Sequence, residues 1–185
     1  EPAASELVCA ACGAPQPAPP GEDLFAALGL PRRFAVEPAE LERRWKEGVR
    51  AVHPDRFARA APRARSVASA RSALLHQAYR TLREPRARAA YLLSLLGAGP
   101  GVASPALLEE QLVLRERLAS AHAAGEGEAV RIAGALAVRL AGIDARLAEL
   151  LAPEEPGSEA VMTVAQLLAE ARLLDRALEA ASRTQ

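Results

Sequence analysis

The sequence predicts an all-α protein, and three observations carry that expectation. Half of its 185 residues are apolar, yet only six are aromatic. Alanine and leucine supply most of the rest, which favours helix over sheet. Apolar residues recur three and four apart over long stretches, the period of a helix with one buried face. Prolines and glycines gather in short clusters between those stretches, where helices start and stop. The length allows one large domain or two small ones.

Residues 1–20 read as a disordered tail, because Pro15, Pro17, Pro19 and Pro20 break any helix and little else is bulky. Inside it stands Cys9-Ala10-Ala11-Cys12-Gly13. That spacing is the turn of one zinc knuckle, but structural zinc usually takes four ligands, and no second pair occurs in the sequence. Three readings stay open: inert thiols, a half-site that another chain completes, and redox chemistry. Asp23 then offers an N-cap for a short helix, Leu24 to Leu28, with Gly29 as its stop.

Pro38 suits a first helical position, and Leu41, Trp45, Val49 and Val52 form one apolar stripe behind it. The other face carries Glu42, Arg43, Lys46, Glu47 and Arg50, with Arg44 at its margin. It is either an ordinary solvated face or a docking surface. Pro54 stops the helix and holds His53 extended, so His53-Pro54-Asp55 sits on a loop at the tip of a helical hairpin. Arg56, Arg59, Arg63 and Arg65 precede the second helix of that hairpin, roughly Val67 to Arg83. Its stripe is Ala70, Leu74, Ala78 and Leu82, with Leu75 and Tyr79 beside it. Glu84-Pro85 ends it, and another helix from near Arg86 includes Ala89, Tyr91, Leu92, Leu93 and Leu96.

Gly97-Ala98-Gly99-Pro100-Gly101 is the clearest break and separates a domain at 21–97 from one at 102–185. The second domain reads as a three-helix bundle, since short turns between long helices make antiparallel neighbours. Ser104 caps its first helix, with Pro105 at the first position and Leu107, Leu108, Leu112, Leu114 and Leu118 inside. A turn is expected over His122 to Gly127. The middle helix runs from about Glu128 to Leu151 on the stripe Val130, Ala133, Leu136, Leu140, Ile143, Leu147 and Leu150. Gly134 and Gly142 cost it about 1 kcal/mol each unless another helix packs close there. Pro153 to Gly157 breaks the chain again, and Ser158 caps a last helix with Val161, Val164, Leu168, Ala171, Leu174 and Leu178 in register.

Zero net charge conceals an asymmetry. Residues 21–100 hold fifteen Arg/Lys against eight Asp/Glu, or +7; residues 101–185 hold eight against thirteen, or −5; Glu1 and Glu6 complete the balance. Two surfaces for two partners, or merely uneven solvation, would both produce this. No run of about 18 apolar residues and no signal peptide is visible, so a cytoplasmic protein with no membrane partner is expected. No phosphate-binding loop, dinucleotide fingerprint, zinc-protease motif or nucleophile elbow occurs, so neither a cofactor nor an enzyme is expected. His53 and Asp55 lack a third group to complete a catalytic set. The arginines are split between a helix face and a loop without a recognition helix, which argues against a nucleic-acid partner. Leu108, Leu112 and Glu116 lie on one flank of the first bundle helix, either as an exposed patch for a partner or as a wider buried face.

Six stretches, in this order, resemble the J-domain family and, within it, the HscB co-chaperones of iron–sulfur cluster assembly. They are Asp23-Leu24-Phe25-Ala26-Ala27-Leu28-Gly29-Leu30, Val52-His53-Pro54-Asp55-Arg56-Phe57, Gln77-Ala78-Tyr79-Arg80-Thr81-Leu82, Arg88-Ala89-Ala90-Tyr91-Leu92-Leu93, Glu110-Gln111-Leu112-Val113-Leu114-Arg115-Glu116 and Arg172-Leu173-Leu174-Asp175. The resemblance covers about residues 22 to 182. It implies a J-domain at 21–97 whose basic face, Arg43, Arg44, Lys46 and Arg50, docks on the ATPase domain of a DnaK-type chaperone, here HscA. His53, Pro54 and Asp55 would then trigger ATP hydrolysis without supplying a catalytic group. It implies that 102–185 is an oligomerisation and scaffold-binding bundle that holds the cluster scaffold IscU through Leu108, Leu112, Glu116 and Leu173. No metal site comes with the resemblance, and Cys9 and Cys12 stay at most a half-site. A J-domain protein for another client is the nearer alternative, and a helical nucleic-acid-binding protein the more distant one.

Overall fold

The computed structural model describes residues 7–124 and 126–182, with the backbone alone for 122–124, 126 and 182. Helices dominate: α1 (Leu24–Ala27), α2 (Pro38–Val52), a 3-10 turn (Pro54–Phe57), α3 (Pro62–Arg83), α4 (Pro85–Leu95), α5 (Pro105–Ala124), α6 (Glu126–Leu150) and α7 (Ser158–Ser182). Proline opens α2, the 3-10 turn, α3, α4 and α5. Its fixed φ suits the first helical position, and its missing N–H is one that no helix bonds there. The chain packs as two units that divide between Arg88 and Ala89, within α4.

In the first unit α3 is the centre, packed against α1, α2 and the 3-10 turn. The Asp23 carboxylate caps α1, accepting from the Ala26 N–H at 2.8 Å, and it also pairs with Arg32. Gly48 lets α2 and α3 approach. A methyl group there would stand 3.1 Å from Leu75 Cδ1 and 3.4 Å from Leu7 Cδ1. Buried charge is part of this core: Arg71 of α3 pairs with Glu22, their side chains 2% and 3% exposed. Arg88 donates to the Leu82 carbonyl and lies over the Phe34 ring, and its burial pushes the guanidinium pKa down.

The second unit is a bundle of α5, α6 and α7, each touching the other two. Leu136, Leu140, Ile143 and Leu147 of α6 and Val164, Leu168, Ala171 and Leu174 of α7 are buried. Arg139 joins all three helices, bonding Glu110 of α5 and Glu170 of α7. Gly101 packs against the α7 backbone, where a Cβ would meet the Ala165 carbonyl oxygen at 2.1 Å.

Several expectations need correction. Residues 7–16 have defined geometry where a disordered tail was expected: Val8 bridges Pro15, Gln16 N–H donates to the Leu7 carbonyl, and Leu7 reaches α2. A tight turn that rests a half-buried leucine against α2 and buries Pro15 needs no bulky core of its own. Helix α3 starts at Pro62, five residues before Val67, because the arginine- and alanine-rich stretch read as loop is made of good helix formers. Its buried line is Ala68, Arg71, Ser72, Leu75, Ala78 and Leu82; Ala70 is exposed and Leu74 only half-buried. Strict four-residue steps drift about 40° each around a helix, and the arginine paired with Glu22 lies inside the true line. On α6, Val130 is exposed, whereas Ala129 and Ile132 are buried, as is Leu151 just beyond its end. Among the described residues nothing lies within 4 Å of a Cβ built at Gly134 or Gly142, so no close helix packing offsets their cost. Finally, α5 runs through His122 to Ala124 and α6 begins at Glu126, where a turn was expected.

Candidate functional site: the His53-Pro54-Asp55 tip and the outer face of the bundle

Helix α2 ends at Val52, which is fully buried, and His53 leaves it with φ −55° and ψ 129°. The chain then makes a single 3-10 turn in place of an irregular loop, closed by Arg56 N–H donating to the His53 carbonyl at 3.0 Å. The His53 imidazole caps that turn, Nδ1 accepting from the Asp55 N–H at 3.3 Å. Buried Phe57 pins its far end. Val52 and Phe57 thus anchor the tip on both sides, and His53 and Asp55 stand outside it. The Asp55 side chain is 90% exposed, and its Oδ2 lies 3.5 Å from His53 Nδ1. Among the described residues no group of three or more His, Cys, Asp or Glu comes together. The tip thus exposes an imidazole and a carboxylate side by side.

The four cations predicted on α2 differ in setting. Arg43 sits between Glu40 and Glu47, at 2.7 and 2.8 Å. These hydrogen bonds, Glu40 first, push its pKa up. Hydrogen bonds from Arg43 and then Arg44 hold the Glu40 carboxyl down at about 2. Arg44 also donates to the Gly29 carbonyl at 2.8 Å, tying α2 to the end of α1. Lys46 pairs with Glu42 at 2.6 Å, while Arg50 is exposed and meets no carboxylate among the described residues. Trp45 on the opposite face stacks on Tyr79 at 4.3 Å and donates to His76 Nδ1 at 3.3 Å.

On the bundle, the inward line of α5 is Leu107, Gln111, Leu114, Leu118 and Ala121, with Gln111, Leu118 and Ala121 fully buried. An amide is inside while Leu108 and Leu112 are outside, 50% and 59% exposed. That flank is therefore not part of a wider buried face. Glu116 is exposed on the same flank, and Leu173 is half-buried on α7. Val113, 56% exposed, was not anticipated. Its i, i+5 offset from Leu108 belongs to no helical stripe. Cys9 and Cys12 are not joined in a disulfide, and they flank a knuckle in which Gly13, at φ 69°, donates to the Cys9 carbonyl at 2.8 Å. Among the described residues nothing adds a third metal ligand.

No family model matches the chain. The co-chaperone protein HscB homolog of Aromatoleum aromaticum is 40% identical over 111 residues, which are 57% of this chain and 63% of that protein. The HscB co-chaperone of Proteus mirabilis is 40% identical over 101 residues, 52% of this chain and 58% of its own length. The chaperone HscB of Vibrio cholerae has the same architecture, with a TM-score of 0.76, 29% identity, and coverage of 88% of this chain and 96% of that one. The chain is a homologue of the HscB co-chaperones. Its match spans less than two thirds of the curated HscB relatives' length. The human HscB co-chaperone shares the fold, at a TM-score of 0.82 and 24% identity over 94% of this chain and 87% of its own. Among the described residues no helix is long and apolar enough to cross a membrane.

Proposed function

We propose that this chain is a J-type co-chaperone that acts in the cytoplasm. It stimulates ATP hydrolysis by a DnaK/HscA-type chaperone and delivers an IscU-type iron–sulfur scaffold to it. It supplies no catalytic group of its own. The observation that carries this reading is the anchored tip with its exposed His53–Asp55 pair. A fixed, outward-facing polar pair suits action on another protein's active site. The triggering domain spans 21–97, with docking by Arg43, Arg44, Lys46 and Arg50. The client domain spans 102–185, where exposed Leu108 and Leu112 with Glu116 and Leu173 form the scaffold patch. Residues of opposite net charge serve the two partners.

The test adds the purified chain to an HscA-type chaperone and follows ATP turnover. Faster hydrolysis is expected, and none of that stimulation from Asp55→Asn, although its fold is intact. Equal stimulation by that variant would remove the tip from the mechanism. For the client, Leu108→Ala with Leu112→Ala is expected to weaken scaffold binding at least tenfold by calorimetry. Unchanged binding would place the client elsewhere.

A further inference from the structure

Three of the four cations on the docking face of α2 are neutralised within their own helix. Arg43 is held by Glu40 and Glu47, Arg44 by Glu40, and Lys46 by Glu42. Residues 38–49 contain three acids and three bases, net zero. The positive field begins beyond them. Residues 50–65 hold five arginines against Asp55 alone, net +4. Arg50, Arg56, Arg59, Arg63 and Arg65 are all exposed. Among the described residues none of the five has an ion-pair partner. Arg56 donates to the Arg50 carbonyl at 3.1 Å and Arg65 to the Ala60 carbonyl at 2.8 Å, which holds both guanidinium groups close to the tip.

Stability does not explain this placement. Arg63 and Arg65 lie in the first turn of α3, which has no acidic residue. The positive end of the helix dipole disfavours cations there. Cations without local carboxylates are also the ones that attract an external anion without first giving up a partner.

We propose that the electropositive docking surface of this protein is centred on Arg56, Arg59, Arg63 and Arg65 together with Arg50, reaching from the tip onto the start of α3. This surface meets an acidic face of the ATPase domain that the tip acts on. The proposal deepens the co-chaperone reading and rests on it. A protein surface fits better than nucleic acid. The exposed Asp55 carboxylate lies between these arginines in sequence and would repel a phosphate backbone, and the one Phe, Tyr or Trp of 50–65, Phe57, is buried.

The test titrates the 185-residue chain into an HscA-type chaperone and reads the concentration that gives half-maximal ATPase stimulation, at two salt concentrations. Arg59→Glu with Arg63→Glu is expected to raise that concentration at least tenfold, to flatten its salt dependence, and to leave the rate at saturation near that of the parent chain. Arg146→Glu, on the bundle and paired with Glu149, is expected to change none of these. Arg63→Glu alone is expected to raise the melting temperature slightly while weakening docking, and these opposite signs separate lost docking from lost folding. A milder Arg59→Gln with Arg63→Gln pair should shift docking in the same direction. Normal half-maximal concentrations in both double variants, with the parent chain active, would overturn the proposal and leave the co-chaperone reading intact. So would lost binding to duplex DNA alongside unchanged stimulation. No stimulation by the parent chain would overturn both.

Discussion

The two units hold their helices together by different means. In the first, charged and polar groups lie inside: Glu22 with Arg71, Arg88 on the Leu82 carbonyl, and Asp23 capping α1. Each is directional and fixes one arrangement of the helices. In the second, leucine, isoleucine and valine lines interlock, and the interhelical ion network at Arg139 is at the surface, with that side chain 38% exposed. The comparison teaches that the tip, for which we propose docking in one geometry, stands on a core with polar pins. The bundle, whose proposed role needs only an apolar outer flank, is built from graded apolar contacts.

The largest effect that would break this comparison is at the buried pair. Arg71→Ala removes the buried cation paired with Glu22 and is expected to destabilise the first unit by about 3–5 kcal/mol. The double change Glu22→Leu with Arg71→Met should recover most of that loss in urea denaturation. A small effect of Arg71→Ala would make the two cores alike. Leu147→Ala, at a fully buried position of α6, is expected to cost about 2–5 kcal/mol by the same measurement. Gly134→Ala and Gly142→Ala should each stabilise α6 by about 0.5–1 kcal/mol, because no neighbouring atom meets the added methyl. Slower amide exchange in α6 than in α3 would show that gain.

The smallest effect is the response to acid. Hydrogen bonds from Arg139 lower the Glu110 pKa. A depressed carboxyl stabilises the fold above its ordinary pKa and loses that contribution as pH falls through the lowered value. The same sign applies to Glu40 in the first unit, over a window from 4.5 down to about 2. Melting temperatures should therefore fall modestly with acidification below the ordinary carboxylate range. Glu110→Gln should flatten the part that belongs to the bundle.

Much of the fold was legible because helix signals are local. Proline at 38 and 105, the Asp23 cap and the stripe from Leu136 to Leu147 needed only near neighbours. The start of α3 was missed because Pro62 stood in a stretch whose arginines resembled a loop. The line through Arg71 was missed because a buried arginine is readable only with its partner Glu22, 49 residues away in sequence. At the candidate site, the spacing of His53, Pro54 and Asp55 was plain in the sequence. Their anchoring by Val52 and Phe57 was not, nor was the neutralisation of Arg43 and Lys46, which depends on where long side chains settle.

The sequence by itself determined the helical class, the interruption of α2 at Pro54, the asymmetry of charge and the leucines at 108 and 112. All follow from backbone restriction, composition and periodicity. Tertiary structure alone decided which face of each helix is buried, that Gln111 lies inside α5 while those leucines stay outside, and that the unpaired positive charge gathers beside the tip. Burial and pairing are properties of groups brought together across the chain, and no local pattern of residues specifies them.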